Sequence, residues 1–210
     1  MKYTHIIWDF NGTIFDDVDI GIESVNVLLA ARHMPLIESR EYYRSVHSFP
    51  VINYYRKIGF DFSEESFDDI AVEWVNEYLS RVPRAGANPE ALEMLGHVRK
   101  LGLKQILLSA TELEMLRGQV ADLKIDHYFD EICGMDNIYA HGKTSLAERW
   151  RSEHPDAKTL LIGDTDHDFE VACAMGADCV LYSGGHQSRA QFASLNCPVV
   201  DSLLAVKCFL

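Results

Sequence analysis

Short apolar runs recur along this chain, and in its second half they alternate with amphipathic helical repeats. Residues 3–8, 104–108, 159–162 and 179–182 are apolar stretches of strand length, and 198–200 is a weaker fifth. Nearly continuous apolar strands belong to a parallel sheet covered on both faces. Strand and helix patterns in alternation predict a doubly wound parallel sheet. The clearest helix spans 89–100: Asn88 suits the N-cap, Pro89 the first helical position, and Gly102 follows the end. Ala91, Leu92, Leu95 and Val98 recur on one face of it. A second helix is expected over 168–175, stopped by Gly176.

Between 16 and 84 the strand pattern disappears. Ile22, Val25, Leu28 and Leu29 make one amphipathic face, and Ile70, Val72, Trp74, Val75, Tyr78 and Leu79 make another. Ser63-Glu64-Glu65-Ser66 reads as a capped, acidic helix start. The pattern predicts a helical bundle inserted after the first strand, hinged at 15–18 and 82–86. The expected division is 1–15 plus 86–210 for the sheet core and 16–85 for a helical cap. No internal repeat or low-complexity segment interrupts it.

Composition narrows the function classes. The 210 residues suit one domain, or one domain with an insertion, and 48% hydrophobic content supplies a core. With 19 basic against 32 acidic residues, the net charge of −13 argues against nucleic-acid and anionic-membrane partners. An anionic substrate would then need local positive charge, which a divalent cation can provide. No apolar run reaches the length of a membrane span and no segment reads as a signal peptide, so a cytoplasmic protein is expected, monomeric or homodimeric. The cysteines (133, 173, 179, 197 and 208) form no Cys-x-x-Cys pair and are odd in number. Buried free thiols in a reducing compartment are the expectation.

The apolar runs end in reactive side chains. His5-Ile6-Ile7-Trp8 stops at Asp9 and breaks into Phe10-Asn11-Gly12-Thr13. Open α/β sheets bind ligands at the carboxyl ends of their strands, where this places Asp9. Gln105-Ile106-Leu107-Leu108 delivers Ser109, with Thr111 beyond it as a candidate helix cap. Leu160-Leu161-Ile162-Gly163 delivers Asp164, followed by Asp166 and Asp168. Lys143 lies ahead of that strand in His141-Gly142-Lys143-Thr144-Ser145. It does not belong to a Walker A loop, because Asn137 occupies the position of the required upstream glycine.

Hydrophobic-Asp-x-Asn-Gly-Thr, strand-Ser, Lys and Gly-Asp-x-x-x-Asp occur here in an order that resembles the haloacid dehalogenase-like hydrolases, with the cap of the phosphoglycolate phosphatase-like branch. The loop and strand at 177–185 are similar too. The resemblance implies a Rossmann-like parallel sheet with an inserted helical cap, and an Mg²⁺-dependent phosphohydrolase acting on a small phosphorylated substrate. It assigns Asp9 as nucleophile, Asn11 to the acid/base position and Lys143 to charge neutralisation. Ser109 binds the phosphoryl group, with Gly12, Thr13 and Ala110. The implied metal set is Asp9, the backbone carbonyl of Asn11 and Asp164, with Asp168 in support of the metal or of Lys143.

Asn11 departs from the family signature Asp-x-Asp-Gly-Thr. The family's second carboxylate protonates the leaving group and then activates water, and an amide does neither. General acid–base catalysis contributes about 10²–10⁴-fold, or roughly 3–5 kcal/mol of barrier. The sequence leaves several readings open: a slow phosphatase, one specialised for good leaving groups such as acyl or aryl phosphates, one helped by His47, His167 or His186, and a catalytically weak phosphate-ligand binder or regulator. Deamidation at Asn11-Gly12 would restore the carboxylate. A phosphonatase would need a cap lysine, and Lys57 lies away from the family's position. Arg44, His47, Arg56 and Arg84 are candidates to hold the substrate's far end, while Tyr42, Tyr43, Tyr54 and Tyr55 are expected to pack the cap.

Overall fold

The computed structural model describes residues 2–135 and 143–210. Strand β1 (His5–Trp8) is central. Strands β4 (Lys104–Glu112), β5 (Glu131–Met135), β6 (Thr159–Gly163), β7 (Asp178–Tyr182) and β8 (Val199–Val200) complete a six-stranded parallel sheet in the order β5-β4-β1-β6-β7-β8. Side chains alternate between its faces. Ile6 and Trp8 pack with Met94, Leu95 and Val98 on one side, and Ile7 packs with Trp150, Val171 and Met175 on the other. Covering these layers are α5 (Pro89–Lys100), α6 (Leu113–Asp122), α7 (Lys143–Glu153) and α8 (Asp166–Met175). Successive strands are added on one side of β1 (β4, β5) and then on the other (β6, β7, β8), so the crevice at its carboxyl end lies between β4 and β6.

Four helices occupy the span after β1: α1 (Val18–Ala31), α2 (Arg40–Val46), α3 (Val51–Lys57) and α4 (Phe67–Arg81). Val25, Leu28, Leu29, Tyr43, Tyr54, Tyr55 and Ile70 form their own apolar cluster. Two-residue strands β2 (Phe15–Asp16) and β3 (Gly86–Ala87) pair antiparallel where the sequence suggests only hinges. They clamp the two chain crossings together.

Several expectations need correction. The α4 N-cap is Ser66, whose hydroxyl accepts from the Asp69 amide; Asp68 and Asp69 supply the first-turn charge, and Glu65 instead binds Arg32. Val72 is 46% exposed, so it faces away from the core. Tyr42 is exposed, unlike the three tyrosines that do pack the helical cluster. Helix α8 starts two residues earlier than expected, because Thr165 and Asp168 form a capping box. Gly176 ends it at φ 65°. Strand β5 escapes sequence reading, since an edge strand with Glu131 and Gly134 carries little apolar signal. Among the cysteines only Cys179 is buried, while Cys173 and Cys208 are exposed.

Candidate active site

The strand ends place the reactive groups. Asp9 follows β1 and donates its backbone N–H to Ile162. The chain then turns through Gly12 at φ +73°, where a left-handed conformation favours glycine. A Cβ on Gly12 would come within 2.3 Å of Asp164 Oδ2, and one on Gly185 within 2.1 Å. Two backbones therefore press against Asp164. Its Oδ1 accepts from the Thr13 hydroxyl at 3.1 Å and its Oδ2 from the His186 amide at 2.6 Å. Gly12 and Thr13 thus brace the centre from behind, and neither lines the cavity among the described residues.

Lys143, at the start of α7 and 4% exposed, is shared by two carboxylates. It donates to Asp9 Oδ1 and, at 2.5 Å, to Asp168 Oδ1. The other Asp168 oxygen accepts from the Thr165 hydroxyl at 2.7 Å and from the Thr165 and Asp164 amides. Both Asp168 oxygens are engaged, which suits holding Lys143. His141 and Gly142 of the lysine motif lie outside the described residues.

Carboxylate oxygens of Asp9, Asp164 and Asp168 lie within 4.8 Å of one another, all buried. Burial and then Asp168 push the Asp9 carboxyl well above its usual range, against the pull of Lys143. Burial likewise raises Asp164 to about 6, opposed by His186. Asp168 stays low despite burial because Lys143 faces it most directly. Burial works against the charge on Lys143, but Asp168 and Asp9 outweigh it and hold the ammonium above the ordinary lysine range. One cation for three clustered carboxylates leaves negative charge uncompensated. A hard oxygen-ligated divalent cation fits that deficit and that donor set.

Asn11 is saturated. Its amide nitrogen donates to Asp17 Oδ2 at 2.8 Å and to Tyr78 Oη at 3.0 Å, and its oxygen accepts from Thr111 at 3.0 Å. Thr111 also receives the Ser109 hydroxyl at 3.1 Å, linking Ser109 to Asn11. Thr111 is therefore no helix cap: Glu112 caps α6. Asp17 further accepts from Tyr78 at 2.7 Å and pairs with His186 Nε2 at 3.1 Å. His186 Nδ1 meets Tyr43 Oη at 2.8 Å. Burial opposes the His186 charge, yet Asp17 outweighs it and lifts the imidazolium to about 9. His47 stacks on His186, and burial and then His186 hold it neutral. His47 and His186 are thus half-buried loop residues that line the cavity. Sequence reading missed Asp17, Tyr43 and Tyr78 as polar partners. Asp17 had a visible signal, a second carboxylate directly after the Ile14-Phe15 pair; the tyrosines had none, because each also fits an apolar helix face.

These groups open onto a cavity of about 290 Å³. Asp9, Asn11, Ser109, Ala110, Lys143, Asp164 and Asp168 line it, together with His47 and His167. Arg44, Arg56 and Arg84 are not among its lining residues. Arg56 bonds Asn53 at the surface and Arg84 pairs with Glu23. The arginine expectation is therefore corrected: Arg56 and Arg84 serve the surface of the helical segment, and Arg44, with a buried Nε that has no hydrogen-bond partner, lies outside the cavity lining.

A parallel sheet carrying buried carboxylates and a lysine at its carboxyl edge defines an α/β protein built to hold an anion and a cation together. The family model described as haloacid dehalogenase-like hydrolase matches residues 6–182, and the chain belongs to this family. It is 22% identical over 207 residues to a phosphoglycolate phosphatase of Pseudomonas syringae pv. syringae, covering 94% of this chain and 76% of that protein. Its fold is similar to a haloacid dehalogenase-like hydrolase from Streptococcus pneumoniae, with TM-score 0.83, 17% identity and coverage of 99% and 98% of the two chains. It is also similar to protein tyrosine kinase A of Mycobacterium tuberculosis, with TM-score 0.81, 18% identity and coverage of 98% and 97%. No helix among the described residues is long and apolar enough to cross a membrane.

Proposed function

We propose that this hydrolase is an Mg²⁺-dependent phosphohydrolase that acts on a small phosphorylated metabolite through an aspartyl-phosphate on Asp9. The observation carrying this reading is the sharing of Lys143 between Asp9 and Asp168, with Asp164 alongside, at the carboxyl edge of the sheet. The phosphoglycolate phosphatases among its relatives support it.

In this account an Asp9 oxygen attacks phosphorus, the bond to the leaving oxygen breaks, and the electron pair departs with that oxygen. Lys143 stays charged throughout and offsets the negative charge of the transferring group. Asp168 positions Lys143, and Ser109 with Ala110 binds phosphoryl oxygens. Bound by Asp9, Asp164 and the Asn11 carbonyl, Mg²⁺ would supply Lewis-acid charge stabilisation. Residues 16–85 act as a cap that shields the reaction from water. Asn11 neither gives a proton to the leaving group nor takes one from the water that frees Asp9, so both half-reactions run without that help.

Phosphate release with Mg²⁺ tests this. Asp9→Ala is expected to lose activity to background. Asn11→Asp sets a second carboxylate about 2.8 Å from Asp17, so one of the two holds a proton near neutral pH. That variant is expected to gain about 10²-fold or more on alkyl phosphates. Asp9→Ala retaining full activity would refute the assignment. Mg²⁺ and phosphate binding without Asp9-dependent release would instead favour the alternative, a phosphate-ligand binder; the saturated amide of Asn11 is what keeps it in view.

A further inference from the structure

The cavity joins two unlike chemistries. Asp9, Lys143, Asp164 and Asp168 are its charged part, and Phe49, Tyr54, Tyr55, Trp74, Val75 and Leu79 from the inserted segment are its apolar part. Trp74 and Tyr78 stack at 4.8 Å and 19°, giving the apolar part a flat aromatic component.

Charge decides what the apolar part accepts. Among the described residues no arginine lines the cavity, and Lys143 is its one lysine. Asp9 and Asp168 take up that ammonium, and Asp17 takes up the His186 imidazolium. His47 is held neutral by burial, and His167 sits by Glu170 with its ring stacked on Phe49. Five carboxylates, those of Asp9, Asp17, Glu112, Asp164 and Asp168, already line the space. A second anionic group on the substrate would be desolvated there without a free cationic partner.

Asn11 adds an independent constraint, since the leaving group must depart without a proton from that position. A phenol has a pKa of about 10, whereas an alcohol lies near that of water, about 15.7. A phenolate therefore leaves far more readily than an alkoxide. Size agrees: a cavity of roughly 150 Å³ can take benzene, so about 290 Å³ has room for one ring and a phosphoryl group.

We propose that the cavity takes a small aryl phosphate whose aryl group carries no charge of its own, with the ring against the Trp74 wall and the phosphoryl group at Asp9 and Lys143. This rests on the phosphohydrolase reading and names its substrate class. The bond from phosphorus to the aryl oxygen breaks, its electron pair leaves on the phenolate, and Asp9 oxygen bonds phosphorus. The phenolate takes a proton from water, and a second water releases inorganic phosphate from Asp9.

The test is kcat/KM with Mg²⁺ for phenyl phosphate, benzyl phosphate and phosphoglycolate. Benzyl phosphate keeps the ring but leaves as an alkoxide; phosphoglycolate adds a carboxylate. Phenyl phosphate is expected to exceed both by about 10²-fold or more. Asn11→Asp should narrow the phenyl-to-benzyl gap. Trp74→Ala should raise KM for phenyl phosphate about 10-fold, with Trp74→Phe recovering it. Asp9-dependent hydrolysis in any other order overturns the aryl proposal and leaves the phosphohydrolase standing. No Asp9-dependent release from any of the three overturns both.

Discussion

Asn11 and Asp17 are best understood as one unit. The amide at 11 can donate to the buried carboxylate at 17, and a carboxylate at 11 could do so only by holding a proton. Asp17 is then held below the usual carboxylate range against burial, by His186 first and by Tyr78 and Asn11 after it. The His186–Asp17 pair makes stability depend on pH. With His186 lifted to about 9, its contribution is complete below the unfolded value near 6.5 and lost as pH rises through about 9. The size is about 3 kcal/mol. Asp17 acts oppositely: its contribution is present above the unfolded value near 3.8 and lost as pH falls through its lower folded value. The urea midpoint of wild type should therefore converge on that of His186→Gln between pH 7 and 10; a constant difference would contradict the pairing. Close approach at Asp164 gives a second residue-scale prediction. Gly185→Ala should weaken Mg²⁺ binding by about tenfold or more, because the added carbon displaces Asp164. Calorimetric titration checks it, and unchanged affinity would contradict the placement. Asp9, Lys143 and Asp164 were legible because each follows or precedes an apolar strand in a recognisable order. Asp17, Tyr43 and Tyr78 were not, since their roles arise from contacts between segments 61 to 169 residues apart.

Elements with their own punctuation read most clearly. Helix α5 has the expected bounds, because Asn88 caps it, Pro89 opens it and basic residues fill its last turn. Strand β4 runs four residues past its apolar stretch, with its register shifting between Leu108 and Glu112, and so carries Ser109, Ala110 and Thr111 along the crevice. A pattern of apolar residues has no means to mark that extension. The β2–β3 ladder is similarly silent, being two residues long on each side. Within the inserted helices, Leu28 is fully buried in a cluster separate from the sheet layers. Leu28→Ala is expected to cost about 2–5 kcal/mol in unfolding free energy, measured by urea denaturation. A loss below about 0.5 kcal/mol would mean that the cluster does not hold the segment together.

Across the whole molecule, a net charge of −13 surrounds a centre that must accept phosphate. Lys143 alone cannot offset Asp9, Asp164 and Asp168, and this is the physical case for a divalent cation. The same balance is the physical reason for proposing an organic part without an anionic substituent, since a second anion would find no free cationic partner among the described lining residues. The central claim is that Asp9 accepts the phosphoryl group and that Asn11 makes its release slow. Its most direct test is rapid-quench mass spectrometry of wild-type protein mixed with phenyl phosphate and Mg²⁺. The account predicts a phosphoryl adduct that accumulates on Asp9 during turnover and falls to a lower level in Asn11→Asp. Steady phosphate release with Asp9 unmodified, or an adduct on another residue, would contradict it.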